Sequence, residues 1–382
     1  RHAIDIRLEL RNPLFLLGQF DELHDNLRKA EAIAEKIGDH KRLGRVLNFL
    51  VGYYGVIADH HRSIESGTRA LQINRDDVEL NTVTQYYMAV AFHHIGQYDQ
   101  SITMLNRALS TVSDQRLKYE RFGTATVISV ICRSWLAQCL AQLGNFKEGI
   151  FVAETGVRIA QECDHAYSLG YAYCSLGLLF LLKGDFELAI NALEQSQIIC
   201  ESNEIRVLTT QVNSHLGYVY ALTGRVADAI ALMEKADRQS EVIGRKAGWA
   251  LRLTWLGHAS LLEGRTDAAR QHGQRALVLA TDSGERGYQA WAHKLLGDVS
   301  QEGPRNPGEA LSHYSASLAL VMDLAMRPLE AHVHLSLGQL HCRENQIEKA
   351  RAELSLALGL YHSMEMLSWA HAADQANSTL LQ

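Results

Sequence analysis

A short turn built on a small residue recurs along this chain at intervals of about forty residues. The small residue is followed by a polar residue and then, in most copies, by an apolar one: Gly18-Gln19-Phe20, Gly96-Gln97-Tyr98, Gly144-Asn145-Phe146, Gly184-Asp185-Phe186, Gly224-Arg225-Val226, Gly264-Arg265-Thr266 and Asn345-Gln346-Ile347. Two further turns, near Ala58 and Arg305, depart from the pattern. A pattern that returns this regularly constrains the chain to a repeat array.

Other small residues keep a fixed distance from the turn. One lies seven positions before it, at Gly177, Gly217, Gly257 and Gly338. Another lies twelve positions after it, at Ala30, Ala70, Ala108, Gly156, Ser196, Ala236, Ala276 and Ala357. Seven residues are about two helical turns, and the apolar residues between the markers also follow a helical period. Each unit is therefore predicted to be a helical hairpin, and the whole chain to be all-α.

The markers divide the chain into nine hairpins, which we interpret as a single solenoid over residues 1–382. The predicted turns lie near residues 18, 58, 96, 144, 184, 224, 264, 305 and 345. The spacing lengthens once, so residues 110–126 form an insertion that is either a longer helix or a protruding loop. Residues 365–382 are expected to form a closing helix over the last hairpin.

The combined pattern resembles the tetratricopeptide repeat. The best matches are in two units, Leu176-Gly177, Phe180, Gly184-Asp185-Phe186 and Ala189, and then Leu216-Gly217, Tyr220, Gly224, Ala229 and Ala236. The resemblance covers essentially the whole chain, although the unit is longer than the usual length of about thirty-four residues. It implies a right-handed superhelical solenoid whose concave face, lined by the first helix of each hairpin, binds a protein or peptide.

A narrower resemblance rests on four strings: residues 3–12, Leu43-Gly44-Arg45-Val46, Tyr119-Glu120-Arg121-Phe122-Gly123 and Gly284-Glu285-Arg286-Gly287. They resemble the C-terminal repeat region of bacterial multidomain regulators that carry a class III adenylate/guanylate cyclase domain and a signalling ATPase domain. The resemblance implies a cytoplasmic regulatory or scaffolding arm that acts on upstream domains of the same chain. The chain begins at Arg1 without an initiator Met, which is expected of a piece of a longer protein.

A ligand-sensing arm of a LuxR-type transcription regulator remains the alternative, because similar repeat arms occur there. A deep closed pocket lined by tyrosine and tryptophan would favour it. Trp135, Trp255 and Trp291 all fall on first helices. Trp135 and Trp255 occupy equivalent positions in their repeats. Equivalent positions are more typical of repeated core packing than of an aromatic surface on which a sugar stacks.

Composition excludes several functions. The formal net charge is −6 and lysine and arginine are not clustered, so no nucleic-acid partner is expected. No apolar run reaches the roughly twenty residues that span a bilayer, so no membrane partner is expected. Phosphate loops and common hydrolase motifs are missing from the sequence, which predicts that this region is not an enzyme and needs no cofactor.

The cysteines and the clustered histidines are candidate metal-binding or redox residues. The six cysteines form no CxxC pair, so they are interpreted as small buried side chains in a reducing cytosol, with a redox switch as the alternative. The histidine clusters are His60-His61, His93-His94, and His332, His334 and His341 with Cys342. The third cluster lacks the spacing of one helical turn that zinc ligands favour, so no metal is expected, and an enzymatic role for these clusters is disfavoured.

Projecting the repeat register onto the concave face selects a polar and aromatic set of candidate binding residues. They are Asn48, Tyr86, Gln138, Tyr171, Gln211, Ser214, Tyr218, Thr254, His258, Lys294, His332 and Gln339. Side-chain amides, hydroxyls and tyrosine rings suit a peptide or an extended protein segment.

The insertion supplies a second candidate surface. It combines basic and aromatic residues, namely Arg116, Lys118, Tyr119, Arg121 and Phe122. This mixture predicts that the loop binds an acidic partner or folds into the groove and fills it. The other interpretation is that Phe122 only anchors the loop on the solenoid.

Overall fold

The computed structural model describes residues 1–17, 19–114, 116–302 and 305–379, and every regular element in these ranges is an α-helix. The predicted all-α repeat solenoid is confirmed. The helices are α1 (His2–Glu9), α2 (Arg11–Leu16), α3 (Phe20–Lys36), α4 (His40–Val56), α5 (His60–Ile73), α6 (Val78–His94), α7 (Tyr98–Thr111), α8 (Ile128–Gln142), α9 (Phe146–Glu162), α10 (Ala166–Lys183), α11 (Phe186–Ser202), α12 (Arg206–Leu222), α13 (Val226–Ile243), α14 (Trp249–Leu262), α15 (Thr266–Ser283), α16 (Arg286–Ser300), α17 (Pro307–Asp323), α18 (Arg327–Arg343), α19 (Ile347–Ser363) and α20 (Leu367–Thr379).

Each even-numbered helix from α4 to α18 is the first helix of a hairpin and packs against the odd-numbered helix that follows it. The first unit differs, because α1 and α2 replace a single long helix before α3. The restart at Arg11 leaves Pro13 in the first turn of α2, where its missing N–H breaks no helical hydrogen bond. Parts of four predictions lie outside the described residues: Gly18 of the first turn, Gln115 of the insertion, Pro304 beside the turn near residue 305, and residues 380–382 of the closing helix.

The hairpin turns have a common backbone conformation. At Gly184 the helix ends in the left-handed region, with φ 93°, and the N–H of Asp185 donates to the carbonyl oxygen of Phe180 at 3.0 Å. Ala58 adopts the same region with φ 64°, and the carboxylate of Asp59 then accepts from the first turn of α5. The second hairpin therefore turns without the glycine that marks most of the others.

Small residues bring the paired helices close together. A β-carbon built on Gly217 would lie 2.4 Å from Cγ of Met233 and 3.1 Å from the carbonyl oxygen of Ala229. One built on Gly177 would lie 2.5 Å from Cγ of Leu193. The small residues twelve positions after the turns are also buried, for example Ala236. The repeating glycine and alanine pattern is thus a packing pattern.

The solenoid curls so tightly that early turns contact loops several hairpins later. The N–H groups of Lys246 and Ala247 donate to the carbonyl oxygen of Val56 at 3.0 and 3.2 Å. Likewise, Oγ of Ser368 donates to the carbonyl oxygen of Gly184 at 2.8 Å. The second hairpin therefore meets the loop before the seventh, and the fifth meets α20. This curvature leaves little open space along most of the concave face.

Of the insertion predicted at residues 110–126, the first two residues belong to α7, and residues 112–114 and 116–127 form a loop before α8. It is fixed at its C-terminal end, where the N–H of Ile128 donates to the carbonyl oxygen of Glu120 at 3.0 Å and Oγ of Ser129 to that of Lys118 at 2.6 Å. Within the part of the chain that the structure describes, no helix combines the length and the apolar character needed to cross a membrane.

Candidate functional site

Six helices, α10, α12, α14, α16, α18 and α20, surround a cavity of about 580 Å³. All except α20 are first helices of hairpins, and α20 completes the ring by packing against the turn after α10. The Trp369 and Phe186 rings meet edge to face there, with centroids 5.7 Å apart. The cavity walls are partly apolar, with Leu181, Leu182, Leu222, Leu261, Leu262, Leu335 and Ala372.

A row of rings crosses this region, with one ring from each of five helices. Tyr218 stacks on Trp255 with centroids 4.6 Å apart, and Trp255 meets Trp291 edge to face at 6.5 Å. His332 lies 6.0 Å from Trp291 and 4.5 Å from Trp369. Trp255 is fully buried behind the wall, whereas the other four residues line the cavity. The row therefore gives the cavity a rigid aromatic side.

Two ion pairs lie in the cavity wall. Nζ of Lys294 is 2.7 Å from Oδ2 of Asp298, and Nη1 of Arg343 is 3.0 Å from Oε1 of Glu302. Oδ1 of Asp298 also accepts from Oγ of Ser336 at 3.1 Å. The positive and negative groups are balanced, so the cavity carries no strong net charge.

The two histidines of the cavity are neutral at neutral pH. Burial, reinforced by the positive charge of Lys294, lowers the pKa of His258 to about 4 and that of His332 to about 3. Nδ1 of His258 lies 3.0 Å from the Tyr218 hydroxyl, and Nδ1 of His332 lies 2.7 Å from the Tyr361 hydroxyl. Each imidazole therefore acts as a neutral hydrogen-bonding group rather than as a cation.

Three residues that line the cavity each have a buried polar atom without a hydrogen-bond partner. These atoms are Nε1 of Trp291, Nε1 of Trp369 and Oε1 of Gln301. A buried polar atom left unpaired costs about 1–3 kcal/mol. A ligand that supplied partners to these atoms would gain hydrogen bonds that the free protein does not make.

The cavity brings together five of the twelve residues predicted for the concave face: Tyr218, His258, Lys294, His332 and Gln339. The other seven, Asn48, Tyr86, Gln138, Tyr171, Gln211, Ser214 and Thr254, are not among its lining residues. The polar groups of four of them make hydrogen bonds between or within helices. Oδ1 of Asn48 accepts from Thr84 at 3.2 Å, and Nε2 of Gln138 donates to Ser175 at 3.3 Å.

The insertion loop lies apart from the cavity, and its side chains have partners in the same protein. Nζ of Lys118 and the hydroxyl of Tyr119 both contact Oε2 of Glu162, at 2.6 and 2.9 Å. Nη2 of Arg116 pairs with Asp114 at 2.7 Å. Of the other two residues predicted in the insertion, Arg121 contacts His165 and Phe122 packs against the hydrophobic core.

Several further residues line the cavity although the repeat register does not select them, notably Asp298, Ser336, Arg343 and Trp369. Trp369 belongs to the closing helix, and its approach to α10 depends on the curvature of the whole solenoid. Trp291 was noted on a first helix, and the paired spacing of Lys294 and Asp298 on α16 was a local signal that could have marked a polar wall.

The third histidine cluster of the sequence separates in space, whereas His60 of the first cluster and His94 of the second come together, with ring centroids 4.9 Å apart. His332 lines the cavity, whereas Nδ1 of His334 contacts Oε2 of Glu353 at 2.6 Å. Nδ1 of His93 contacts Sγ of Cys139 at 3.2 Å. All six cysteines are free thiols, and four of them are buried.

Comparison with protein families matches residues 170–199 to the tetratricopeptide repeat. The 43 kDa receptor-associated protein of the synapse from Tetronarce californica is 23% identical over 185 residues. That match covers 47% of this chain and 44% of the relative, so it spans less than half of the relative's length.

Solved structures resemble this chain over nearly all of its length. The Rap conjugation gene regulator of the plasmid pLS20, in complex with the Phr* peptide, has a TM-score of 0.61 and 13% identity, over 95% of this chain and 98% of that one. NprR in complex with its cognate peptide NprX has a TM-score of 0.61 and 10% identity, over 94% and 99%. A signal transduction ATPase with numerous domains and a tetratricopeptide repeat sensor, from Pyrococcus horikoshii, has a TM-score of 0.50 and 15% identity, over 98% of this chain and 55% of that one. At these identities the likeness establishes a shared solenoid fold.

Proposed function

We propose that this chain, as one continuous solenoid, is a non-catalytic regulatory module that binds a peptide or short protein segment in the cavity between α10 and α20. The observation that carries the proposal is the ring of six helices around about 580 Å³ of space, which is partly open to solvent. This volume falls within the range of about 300–1,000 Å³ that is usual for ligand pockets.

The cavity wall has the chemistry that a peptide requires. Tyr218, Trp291 and Trp369 offer large contact areas at a low cost in side-chain entropy. Lys294 and Asp298 are paired with each other, and either can exchange its partner for a charged peptide group. The peptide complexes of the Rap regulator and of NprR, whose folds are similar, support this class of ligand.

A non-catalytic role is supported by the way the polar groups of the cavity are engaged. Ser336 donates to Asp298, whose carboxylate is already paired with Lys294 and accepts from Tyr314, and His332 is paired with the Tyr361 hydroxyl. His258 is neutral and is paired with Tyr218. A nucleophile needs an adjacent base that is free to accept its proton, and these contacts do not provide that arrangement.

The parent protein in this proposal is a bacterial cytoplasmic regulator with a nucleotide cyclase and an ATPase domain upstream. The strings around Leu43 and Gly284 support it, as does the likeness to an ATPase with a tetratricopeptide repeat sensor. Ligand binding would change the curvature of the solenoid through contacts between its successive turns, such as Val56 with Lys246. Such coupling requires that the ligand bind one curvature more tightly than another.

A second candidate is the ligand-sensing arm of a LuxR-type transcription regulator. The enclosed aromatic side of the cavity, with Trp291 and Trp369, favours a small molecule as the ligand in this case. The class of ligand, a peptide or a small molecule, therefore distinguishes the two candidate functions.

Affinity selection from a pooled synthetic pentapeptide library, with mass-spectrometric identification, tests the proposal. Wild-type protein is expected to retain a defined subset, and Lys294→Met to lose it, because the mutation removes a partly buried positive charge from the cavity wall and leaves Asp298 without that partner. Lys147→Met is the matched control, since Lys147 is exposed on α9. Retention of no peptide, or equal retention by the Lys294→Met protein, would contradict peptide binding in the cavity. Selective retention from a metabolite library would instead favour the second candidate.

A further inference from the structure

Glu285 joins three segments that are far apart in the sequence. Its Oε1 lies 3.2 Å from Nε2 of His60 and 3.3 Å from Nδ1 of His94. The backbone N–H of Gly248 donates to the same oxygen at 3.0 Å. His60 begins α5, His94 ends α6 and Glu285 precedes α16, so the cluster lies between successive turns of the superhelix.

The cluster is removed from solvent. The exposed fractions are 1% for His60, 5% for His94 and 1% for Glu285. Neither ring nitrogen of His94 makes a hydrogen bond of acceptable geometry, and Nδ1 of His60 also has no partner. Buried imidazole nitrogens are normally satisfied, and of these three it is Nδ1 of His94 that faces Glu285 and lacks a partner there.

Two of the three separations match those of a metal site. A tetrahedral zinc ion with bonds of about 2.0–2.1 Å holds its ligand atoms about 3.3–3.4 Å apart. The carboxylate oxygen stands at nearly this distance from both histidine nitrogens. The three ligand atoms lie within 4.8 Å of one another, so the two imidazoles would move closer together when an ion binds. Two imidazoles and one carboxylate are a donor set that zinc and similar divalent transition ions accept.

We propose that His60, His94 and Glu285 form a binding site for one divalent transition ion of the zinc class, and that the ion links successive turns of the superhelix. The site departs from the sequence expectation that this chain binds no metal. The Gly248 N–H would act as an outer hydrogen bond that orients the carboxylate.

Two arginines, Arg245 and Arg252, lie near the cluster, and their charges oppose a bound cation. Glu285 and Asp237 both offset the charge of Arg252. Arg252 is close to the site, because it and His94 both approach Gly248. A β-carbon built on Gly248 would lie 3.5 Å from Nη1 of Arg252 and 3.6 Å from Cε1 of His94.

The experiment titrates the purified full chain, stripped of metal, with zinc chloride in competition with a fluorescent chelator. One equivalent is expected to bind. Cobalt(II) should give a tetrahedral d–d spectrum without thiolate charge transfer, since the three donors include no sulfur. Glu285→Gln and His94→Gln are each expected to weaken zinc binding at least about tenfold.

Two further variants keep the test independent of folding defects. Arg252→Gln removes an opposing positive charge and is expected to tighten zinc binding several-fold. His293→Gln is the matched control, because His293 and His313 form a separate pair with their Nδ1 atoms 3.0 Å apart. The absence of saturable zinc binding, unchanged affinity in both Glu285→Gln and Arg252→Gln, or loss of binding in His293→Gln would overturn the proposal.

Discussion

Ser368 Oγ donates a 2.8 Å hydrogen bond to the carbonyl oxygen of Gly184, a residue 184 positions earlier in the chain. This contact holds α20 against the turn of the fifth hairpin and completes the ring of helices around the cavity. The side chain of Trp369 packs on the same turn. The cavity therefore depends on the curvature of the whole repeat array rather than on any single hairpin.

Substitution of Gly184 tests this closure. Gly184→Ala places a β-carbon 2.7 Å from Cδ1 of Trp369 and forces alanine to φ 93°, so we expect a loss of about 2–4 kcal/mol and faster hydrogen exchange in α20. Gly224→Ala is the control, because φ is 89° there and nothing lies within 4 Å of the new β-carbon. It should cost only about 1–2 kcal/mol. Equal losses in the two variants, with no change in α20 exchange, would mean that α20 is not docked on this turn.

Two helical glycines should respond to alanine with opposite signs. At Gly217 the new β-carbon meets Met233 and the backbone of Ala229, so Gly217→Ala should destabilise the protein by about 1–3 kcal/mol. Gly359 is exposed within α19 and has open space around it, so Gly359→Ala should stabilise by up to about 1 kcal/mol. Urea unfolding of both variants measures the difference, and a stabilising Gly217→Ala would refute the packing role of the repeated glycines.

His332 should make the free energy of unfolding depend on pH. Its pKa in the folded protein, about 3, is below the ordinary value near 6.5 because the ring is buried. Between these values the unfolded chain binds more protons than the folded one, so stability falls as the pH is lowered from 7 toward 5. This histidine should contribute about 2 kcal/mol of that loss at pH 5.

The measurement compares urea unfolding at pH 7 and pH 5 in wild type and in His332→Gln. The variant should lose less stability between the two pH values than wild type does. His371→Gln, at an exposed position of α20, should keep the wild-type dependence. If His332→Gln kept the full wild-type dependence, His332 would not be held neutral by burial.

The thiols should divide into two classes when the native protein is treated with a thiol reagent at pH 8. Burial raises the pKa of Cys132 and Cys139 to about 12 and that of Cys200 to about 11, and it also raises the pKa of Cys174. These four should react only after denaturation, whereas Cys163 and Cys342, which are partly exposed, should react in the native state. Rapid reaction of more than two thiols per native chain would favour the redox interpretation instead.

Local sequence signals predicted the helices and the turns because they depend on residues that are close together in the chain. A small residue with positive φ follows several of the first helices, as at Gly184, and small residues such as Gly217 mark close helix contacts. The break between α1 and α2 has no counterpart in the other units, so the repeat pattern carries no signal for it.

The candidate site was predicted only in part because it depends on contacts between distant hairpins. Repeat register identified Tyr218, Lys294 and His332 but could not show that α20 would bring Trp369 to the same cavity. It also placed Asn48 on an open face, whereas tight curvature buries that residue. The approach of His94 to Glu285 likewise has no local signal.

Hydrogen exchange with mass spectrometry, with and without a library-selected pentapeptide, tests the central claim most directly. If the peptide occupies the cavity, amides in α16, α18 and α20 should exchange more slowly in its presence, because these helices carry Lys294, His332 and Trp369. Protection confined to α4–α9, or to the loop at residues 112–127, would contradict the account and place the peptide on another surface.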